Sequence, residues 1–370
     1  MDFSLNDEQQ AFREALRRFC DAEYAEHTRG QDPAPVDVGA QWGLFAELGL
    51  LGLTLPETVG GAGLGAAETF LAAYELGRAL QASRFVELVV MSGRFLQAVQ
   101  ADPTVLEALA SGVRRYALAW QDPQLPQEGE ALRAVRTADG WSLRGVKVHV
   151  RHAAEADALV VVAPVAGEGG AAEPSAFLLP RDAQGVTLVT QATLDGNLSS
   201  TLYCDDVRVP ADSLLSGPER TQEALALARD AAQAALCAEA AAAMHCLLDL
   251  TVEHLRTRQQ FGKPLAAFQA LQHHVADMFA AVEQAYSISA VAAMAIDEAE
   301  PRRRSSLVAA AKVFTDDAAR FVGEWAVQLH GAMGMTNECR VAGYVRRLML
   351  VGQRFGSTHH ALERYIRLAA

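Results

Sequence analysis

Cysteine is scarce and carries no pattern. The five cysteines of the 370-residue chain (Cys20, Cys204, Cys237, Cys246, Cys339) are odd in number, scattered and never spaced C-x-x-C. That argues against both a disulfide framework and a zinc site. No histidine stands in an H-E-x-x-H pattern. The pairs His273-His274 and His359-His360 are sequence neighbours, which on a helix do not share a face. Basic residues are the minority: 32 Lys and Arg against 45 Asp and Glu leave a net charge of −13, the wrong sign for nucleic acid or an anionic membrane. The opening residues hold no basic segment followed by an apolar one, so a secretory signal is not expected. The most apolar stretch, residues 231–244, is interrupted by Gln233 and Glu239 and falls short of the roughly 20 residues that cross a bilayer. No short repeat or low-complexity tract is present. A reduced, cytoplasmic protein is expected, with no nucleic-acid, membrane or metal partner.

A large core is within reach, since 51% of residues are apolar and 21% charged. The chain reads in three parts. Residues 1–115 are helical: Leu5-Asn6-Asp7-Glu8 places acidic side chains at the positive end of a first helix dipole, and Phe12, Leu16 and Phe19 follow at helical spacing. The segment from Pro56 to Gly63 is a loop. Residues 116–217 are short apolar or alternating runs (Trp141–Gly145, Ala158–Ala163, Ala176–Leu179, Thr187–Val189) punctuated by Gly, Pro and Asp, the pattern of an antiparallel β-domain. Residues 218–370 return to helical periodicity, with stripes such as Leu236, Ala240, Ala243, Leu247 and Leu307, Ala311, Phe314, Ala318, Phe321, Trp325. Their alanine content predicts helices packed at close range. Arg302-Arg303-Arg304, after Pro301, reads as a solvated stretch opening a helix.

Four stretches in this order resemble the acyl-CoA dehydrogenase family along the whole chain. Pro56-Glu57-Thr58-Val59-Gly60-Gly61-Ala62-Gly63 is similar to its P-E-x-x-G-G-x-G. Asp205–Pro210 is similar to the end of its β-domain. Arg258-Gln259-Gln260-Phe261-Gly262 with Phe268-Gln269 is similar to its R-x-x-F-G…F-Q. Gln328-Leu329-His330-Gly331-Ala332-Met333-Gly334 is similar to its Q-x-H-G-G-x-G, with Ala332 in place of the second Gly. The resemblance implies an N-terminal helical domain, a middle antiparallel β-barrel-like domain and a C-terminal four-helix bundle. It implies FAD-dependent α,β-dehydrogenation of an acyl-CoA thioester. That chemistry asks for a carboxylate base in a dry pocket, a flavin in register to take the β-hydride, and donors for the thioester oxygen.

By resemblance, Arg258, Phe261, Gln269, Gln328 and Gly331 hold the ADP end of FAD, in this family across a subunit interface; planar guanidinium donors match phosphate oxygens in pairs. The flavin-ring end departs from the family. Where the family has T-E-P-x-A-G-S-D, this chain has Gln121-Asp122-Pro123-Gln124-Leu125-Pro126-Gln127-Glu128. Where it has G-x-K-x-W-I-T-N, this chain has Gly145-Val146-Lys147-Val148-His149-Val150-Arg151-His152, and the strand is expected to turn His149 and Arg151 to solvent. The base is missing as well. Phe355-Gly356-Ser357-Thr358 matches Y-E-G-T, so Gly356 stands where the Glu should be, and Ala232 and Gln233 fall at the alternative position. Asp230 and Glu239 lie on the same helix; Glu239, two turns past Ala232 and on roughly the same face, is a candidate base, set against the reading of a buried carboxylate paired with polar neighbours.

A chain that keeps the clamp offered to a neighbour and lacks its own ring pocket resembles the degenerate small subunit of heteromeric acyl-CoA dehydrogenases of the pimeloyl-CoA or steroid side-chain type. The expected partners are an acyl-CoA thioester, a second dehydrogenase chain or an identical copy, and an electron-transfer flavoprotein, in lipid or steroid catabolism. Three alternatives stay open: an autonomous homo-oligomeric flavoenzyme using Glu239, a non-catalytic acyl-CoA-binding or scaffolding protein, and a flavin monooxygenase of the same fold.

Overall fold

A computed structural model describes residues 5–24, 37–166 and 172–369; Met1 to Ser4, at the start of the first predicted part, lie outside the described residues. The element order follows the three-part reading. Helices come first: α1 (Asp7–Glu23), α2 (Val38–Glu47), α3 (Ala66–Arg78) and α4 (Ala82–Arg84), then a π-helix over Phe85–Met91, α5 (Ser92–Ala98) and α6 (Pro103–Ala110). Strands β1 (Tyr116–Ala119), β2 (Arg133–Thr137), β3 (Gly140–Arg151), β4 (Ala158–Ala166), β5 (Ala172–Pro180), β6 (Val186–Ala192), β7 (Leu198–Pro210) and β8 (Leu214–Ser216) follow. Then come α7 (Pro218–Thr257), a hairpin of β9 (Gln259–Gln260) and β10 (Lys263–Pro264), α8 (Gln269–Ala295), α9 (Pro301–His330), α10 (Arg340–Val351) and α11 (Thr358–Ala369). Compactness divides these elements differently from chain order: one unit gathers residues 1–36, 65–83 and 230–370, the other residues 37–64 and 84–229.

In the first unit, α1 starts where its sequence directs. The Asn6 side chain accepts from Gln9 N at 2.8 Å and Gln9 Oε1 accepts from Asn6 N at 3.2 Å, a reciprocal cap that satisfies two otherwise free amides. Between Ala231 and Met244, every residue of α7 is buried, as a helix apolar all round must be. Close packing is real: a Cβ on Gly77 of α3 would come 2.8 Å from the Glu239 Cα. By length and composition α7 and α8 are both apolar enough to cross a membrane; the apolar window of α7 is 72% buried inside the protein and that of α8 39%. On α9 the core face is Val308, Ala311, Ala319, Val322 and Ala326, rotated from the predicted stripe, which leaves Phe314 exposed and Leu307, Phe321 and Trp325 half-buried. Arg304 is buried rather than solvated, because Asp230 of α7 needs its charge at 3.0 Å.

In the second unit, the Pro56–Gly63 loop folds as a short 3-10 turn (Glu57–Val59) ended by Gly60 at φ 77°. Gly61 has no room for a side chain, since a Cβ would lie 2.1 Å from the Leu55 carbonyl oxygen. The strands form one sheet in the order β6-β7-β3-β2-β4-β5-β8, with β1 beside β4. Most pairs are antiparallel, as expected. Two parallel pairings are added: β4 with β1 (Tyr116↔Ala158) and with β2 (Ala134↔Val165), the β2–β3 hairpin and β3 respectively supplying the long crossovers that parallel pairing needs. Leu143, Leu159, Val161, Phe177, Leu179, Leu202 and Val207 are fully buried.

A buried ionic node in this unit sets an acid limit on stability. Arg84 grips Glu155 with two bonds of 2.8 Å, and His152 Nδ1 lies 2.8 Å from the same carboxylate. Burial alone would raise the Glu155 pKa; His152 and Arg84 overcome it and bring the carboxyl from 4.5 down to about 2. A folded-state pKa below the unfolded one stabilises above the unfolded value and loses that contribution as pH falls through the folded value. Glu155→Gln is therefore expected to cost about 2 kcal/mol at pH 7, allowing for screening. In urea unfolding the gap to wild type should close as pH falls from 4.5 toward 2. A gap independent of pH would contradict this account.

Candidate functional site

In the helical unit, one end collects the predicted clamp. His254, in the last turn of α7, stacks on His330, the last residue of α9, with ring centroids 4.4 Å apart. His274, near the start of α8, stacks on Trp325 of α9 at 3.6 Å. These contacts bring Arg258, Gln269, Gln328 and Gly331 to the same end of three helices. Burial pulls both His254 and His330 below the ordinary 6.5, and the neighbouring ring and Arg258 add to it at His254, so the stacked pair is neutral near pH 7.

Phe261 crowns this end. It occupies the turn of the β9–β10 hairpin with φ 53°, followed by Gly262 at φ 76°. Two consecutive positive φ values make a tight hairpin turn, and a phenylalanine there costs about 1–2 kcal/mol. Its ring is 89% exposed and meets the edge of Phe268, with ring centroids 6.2 Å apart. A strained, exposed aromatic is a mark of a binding surface. Among the described residues, the side chains of Arg258, Gln269 and Gln328 make no hydrogen bond. The first turn of α8 has no side-chain cap either; Leu271 N and Gln272 N donate to the Phe268 carbonyl, and the turn is the positive end of a helix dipole.

The positions expected to carry a base also meet, and neither holds a carboxylate. Gln233 Nε2 donates to the Phe355 carbonyl at 3.2 Å, and Arg364 donates to Gln233 Oε1 at 3.1 Å. Gly356 follows at φ 107°, a backbone state open to glycine and strained for glutamate. The nearby carboxylates are committed elsewhere. Asp230 accepts from Arg304 at 3.0 Å, Ser305 at 2.7 Å and Arg364 at 2.6 Å. Glu239 is 1% exposed and is held by Arg347 of α10 and by Arg354 at 3.0 Å. Burial would raise the Glu239 pKa, but the two guanidiniums prevail and hold it below its ordinary value. Glu239 is thus a sealed, ionised strut, which removes the physical basis for a proton-abstracting role. The four arginines that neutralise these carboxylates stand 74 to 134 residues away in sequence, and no spacing rule could have pointed to them.

In the sheet unit, the stretch expected at a flavin ring is closed on itself. Gln124 N and Leu125 N both donate to Glu128 Oε2, at 2.8 and 3.1 Å, and those amides pull the Glu128 carboxyl below its ordinary value. Pro126 adds no donor. Lys147 is buried against Asp122 at 2.6 Å. His149 is exposed, as expected, at a register shift between Lys147 and Val150 where its φ is 55°. Arg151 corrects the expectation of a solvent-facing side chain. It is mostly buried between Glu87 at 3.3 Å and Asp195 at 3.6 Å, because two acidic neighbours from the π-helix and the β6–β7 turn draw the strand's charge inward.

Residues 6–99 match the acyl-CoA dehydrogenase N-terminal domain and residues 216–367 the acyl-CoA dehydrogenase C-terminal domain. Benzylmalonyl-CoA dehydrogenase of Aromatoleum aromaticum is 30% identical over 370 residues, covering 95% of this chain and 96% of that protein. The chain belongs to the acyl-CoA dehydrogenase family. Butyryl-CoA dehydrogenase of Megasphaera elsdenii superimposes with a TM-score of 0.90 at 25% identity, over 100% of both chains. The Tcur3481-Tcur3483 steroid acyl-CoA dehydrogenase, in a glycine-to-alanine variant, superimposes with a TM-score of 0.83 at 26% identity, over 99% of this chain and 98% of that one. The fold is therefore that of an acyl-CoA dehydrogenase: N-terminal helices, a middle β-domain and C-terminal helices. FAD is the cofactor of the family. The free donors at Arg258, Gln269 and Gln328 fit the ADP part of this dinucleotide, whereas the Gln121–Glu128 stretch, with the Gln124 and Leu125 amides bonded to Glu128 and no amide hydrogen at Pro123 or Pro126, is a poor fit for the ring end.

Proposed function

We propose that this acyl-CoA dehydrogenase acts as a partner subunit, presenting Arg258, Phe261, Gln269, Gln328 and Gly331 to the ADP part of a FAD whose ring is held by a second dehydrogenase chain. The observation that carries this reading is a contrast between two stretches: the side-chain donors of the clamp are unbonded, while the amides of Gln124 and Leu125 are occupied by the chain's own Glu128. Bound FAD would supply the acceptor for a hydride from the β-carbon of an acyl-CoA thioester. In this reading the present chain positions and orients the dinucleotide through Arg258 and the two glutamines. The proton at the α-carbon is removed by a carboxylate of the other chain, since Gly356 and Gln233 offer none. An electron-transfer flavoprotein would take up the electrons that the bound cofactor gains. The similarity to the Tcur3481-Tcur3483 steroid enzyme supports a two-chain assembly of this kind.

The test is a visible spectrum. The chain purified alone with excess FAD is expected to stay colourless after desalting, and to acquire flavin absorbance when co-expressed with a second acyl-CoA dehydrogenase chain. Stoichiometric flavin on the chain alone, bleached by acyl-CoA thioesters, would replace this reading by an autonomous enzyme. Colourless protein in both preparations would favour a non-catalytic scaffold.

A further inference from the structure

A cavity of about 610 Å³ lies in the helical unit, lined by Asp316, Glu324 and Val327 of α9, Leu348 and Met349 of α10, and Thr358 at the start of α11. No clamp residue lines it, although Ser357 and Thr358 of the segment matched to Y-E-G-T do, and its size is that of a small-molecule site.

One polar atom at its wall is unsatisfied. Asp316 is 6% exposed. Its Oδ2 accepts from Lys312 Nζ and, at 3.0 Å, from Thr358 Oγ1. Its Oδ1 is buried without a hydrogen-bond partner. A buried acceptor in that state gains from any donor that enters beside it. The charge balance gives the sign of that donor. The charged groups around the cavity are three carboxylates (Asp316, Asp317, Glu324) and two cations, Arg320 on the wall and Lys312 behind Asp316; His359, also on the wall, is taken up by Glu363 at 3.1 Å. Lys312 is spent on Asp316, and Arg320 sits 3.7 Å from Asp317. Glu324 has no ion pair among the described residues, so one negative charge is left over. Burial pushes the Asp316 carboxyl up to about 6 even beside Lys312, in keeping with an under-compensated site. The rest of the wall (Val327, Leu348, Met349) is apolar.

We propose that this cavity binds a small organic amine, with its ammonium group donating to Asp316 Oδ1 and its apolar body lying against Val327, Leu348 and Met349. A single positive charge neutralises the site. An alcohol of the same shape supplies a donor and no charge, and a carboxylic acid brings repulsion.

The site is tested on the purified full chain by calorimetric titration with 4-phenylbutylamine, 4-phenylbutanol and 4-phenylbutyrate. The amine is expected to bind at least ten-fold more tightly than the alcohol, and the acid to show no heat of binding. Gly323 also lines the cavity, and a Cβ there meets no atom within 4 Å. Gly323→Leu therefore fills the space with the fold intact, and is expected to weaken amine binding at least ten-fold at an unchanged unfolding midpoint. Asp316→Asn should abolish the preference of amine over alcohol; if that variant does not fold, the ligand series and Gly323→Leu still decide. Absence of amine binding, equal affinity for the three probes, or amine binding that survives Gly323→Leu would overturn the proposal.

Discussion

Glu239→Ala is expected to lower the stability of the chain by about 3–5 kcal/mol, the cost of removing one partner from a buried ion pair. The carboxylate lies within hydrogen-bond reach of Arg347 and Arg354, and all three side chains are nearly excluded from solvent. Deleting it removes the carboxylate that both buried guanidiniums share, and a buried charge that loses a partner costs more than one never buried. Glu239→Gln keeps the volume and loses the charge, so it should recover only part of the loss. Urea unfolding of the three proteins at pH 7 measures the effect. A catalytic base would behave in the opposite way: the unfolding midpoint would hold and only turnover would fall. An unchanged midpoint for Glu239→Ala would therefore remove the strut interpretation and reopen the question of a base.

Arg258→Ala is expected to do the reverse, leaving stability alone and weakening flavin retention. The side chain is exposed and makes no hydrogen bond among the described residues, so its loss should move the unfolding midpoint by less than about 0.5 kcal/mol. If it holds a pyrophosphate, the charged hydrogen bonds removed are worth about 1.5–3 kcal/mol, roughly a 10- to 100-fold loss of FAD affinity in the assembled protein. Arg258→Lys keeps the charge and gives up the paired geometry, so it should fall between the two. Fluorescence titration of FAD into the deflavinated assembly gives the numbers. Equal affinity in wild type and Arg258→Ala would show that the clamp is idle and would count against the partner-subunit reading.

The shared location of the proposed clamp residues could be read early because they sit at helix ends. Arg258 and Phe261 follow α7, Gln269 opens α8, and Gln328 and Gly331 close α9; two antiparallel turns then bring them to one end without any further information. The reading of Glu239 fared differently. A glutamate inside an alanine-rich helix announces that something must neutralise it, yet Arg347 and Arg354 are more than 100 residues away on another helix and a loop. Arg151 and Arg304 misled for the same reason. Each has the sequence surroundings of a surface charge, and its acidic partners, Glu87 and Asp195 in one case and Asp230 in the other, lie far away along the chain. The rotated stripe on α9 shows a subtler limit. Periodicity locates an apolar face, but Leu307, Phe321 and Trp325 lie at the margin of the packed face, and a shift of one residue turns a helix by about 100°.

Local chemistry alone determined where elements start and stop, the three-part order, the glycine-dependent loop at Pro56–Gly63 and the absence of glutamate at position 356. These are matters of dihedral preference, capping and residue identity, and each is settled within a few neighbours. Tertiary structure decided everything that depends on which charges meet: that Asp230 and Glu239 are sealed by four arginines, that Glu128 occupies the amides of Gln124 and Leu125, and that Asp316 keeps one buried oxygen without a donor. A carboxylate has the same sequence signature whether it is a base, a strut or a vacant acceptor. Only its burial and its neighbours set its protonation, and those are assembled from distant parts of the chain when the helices close on one another.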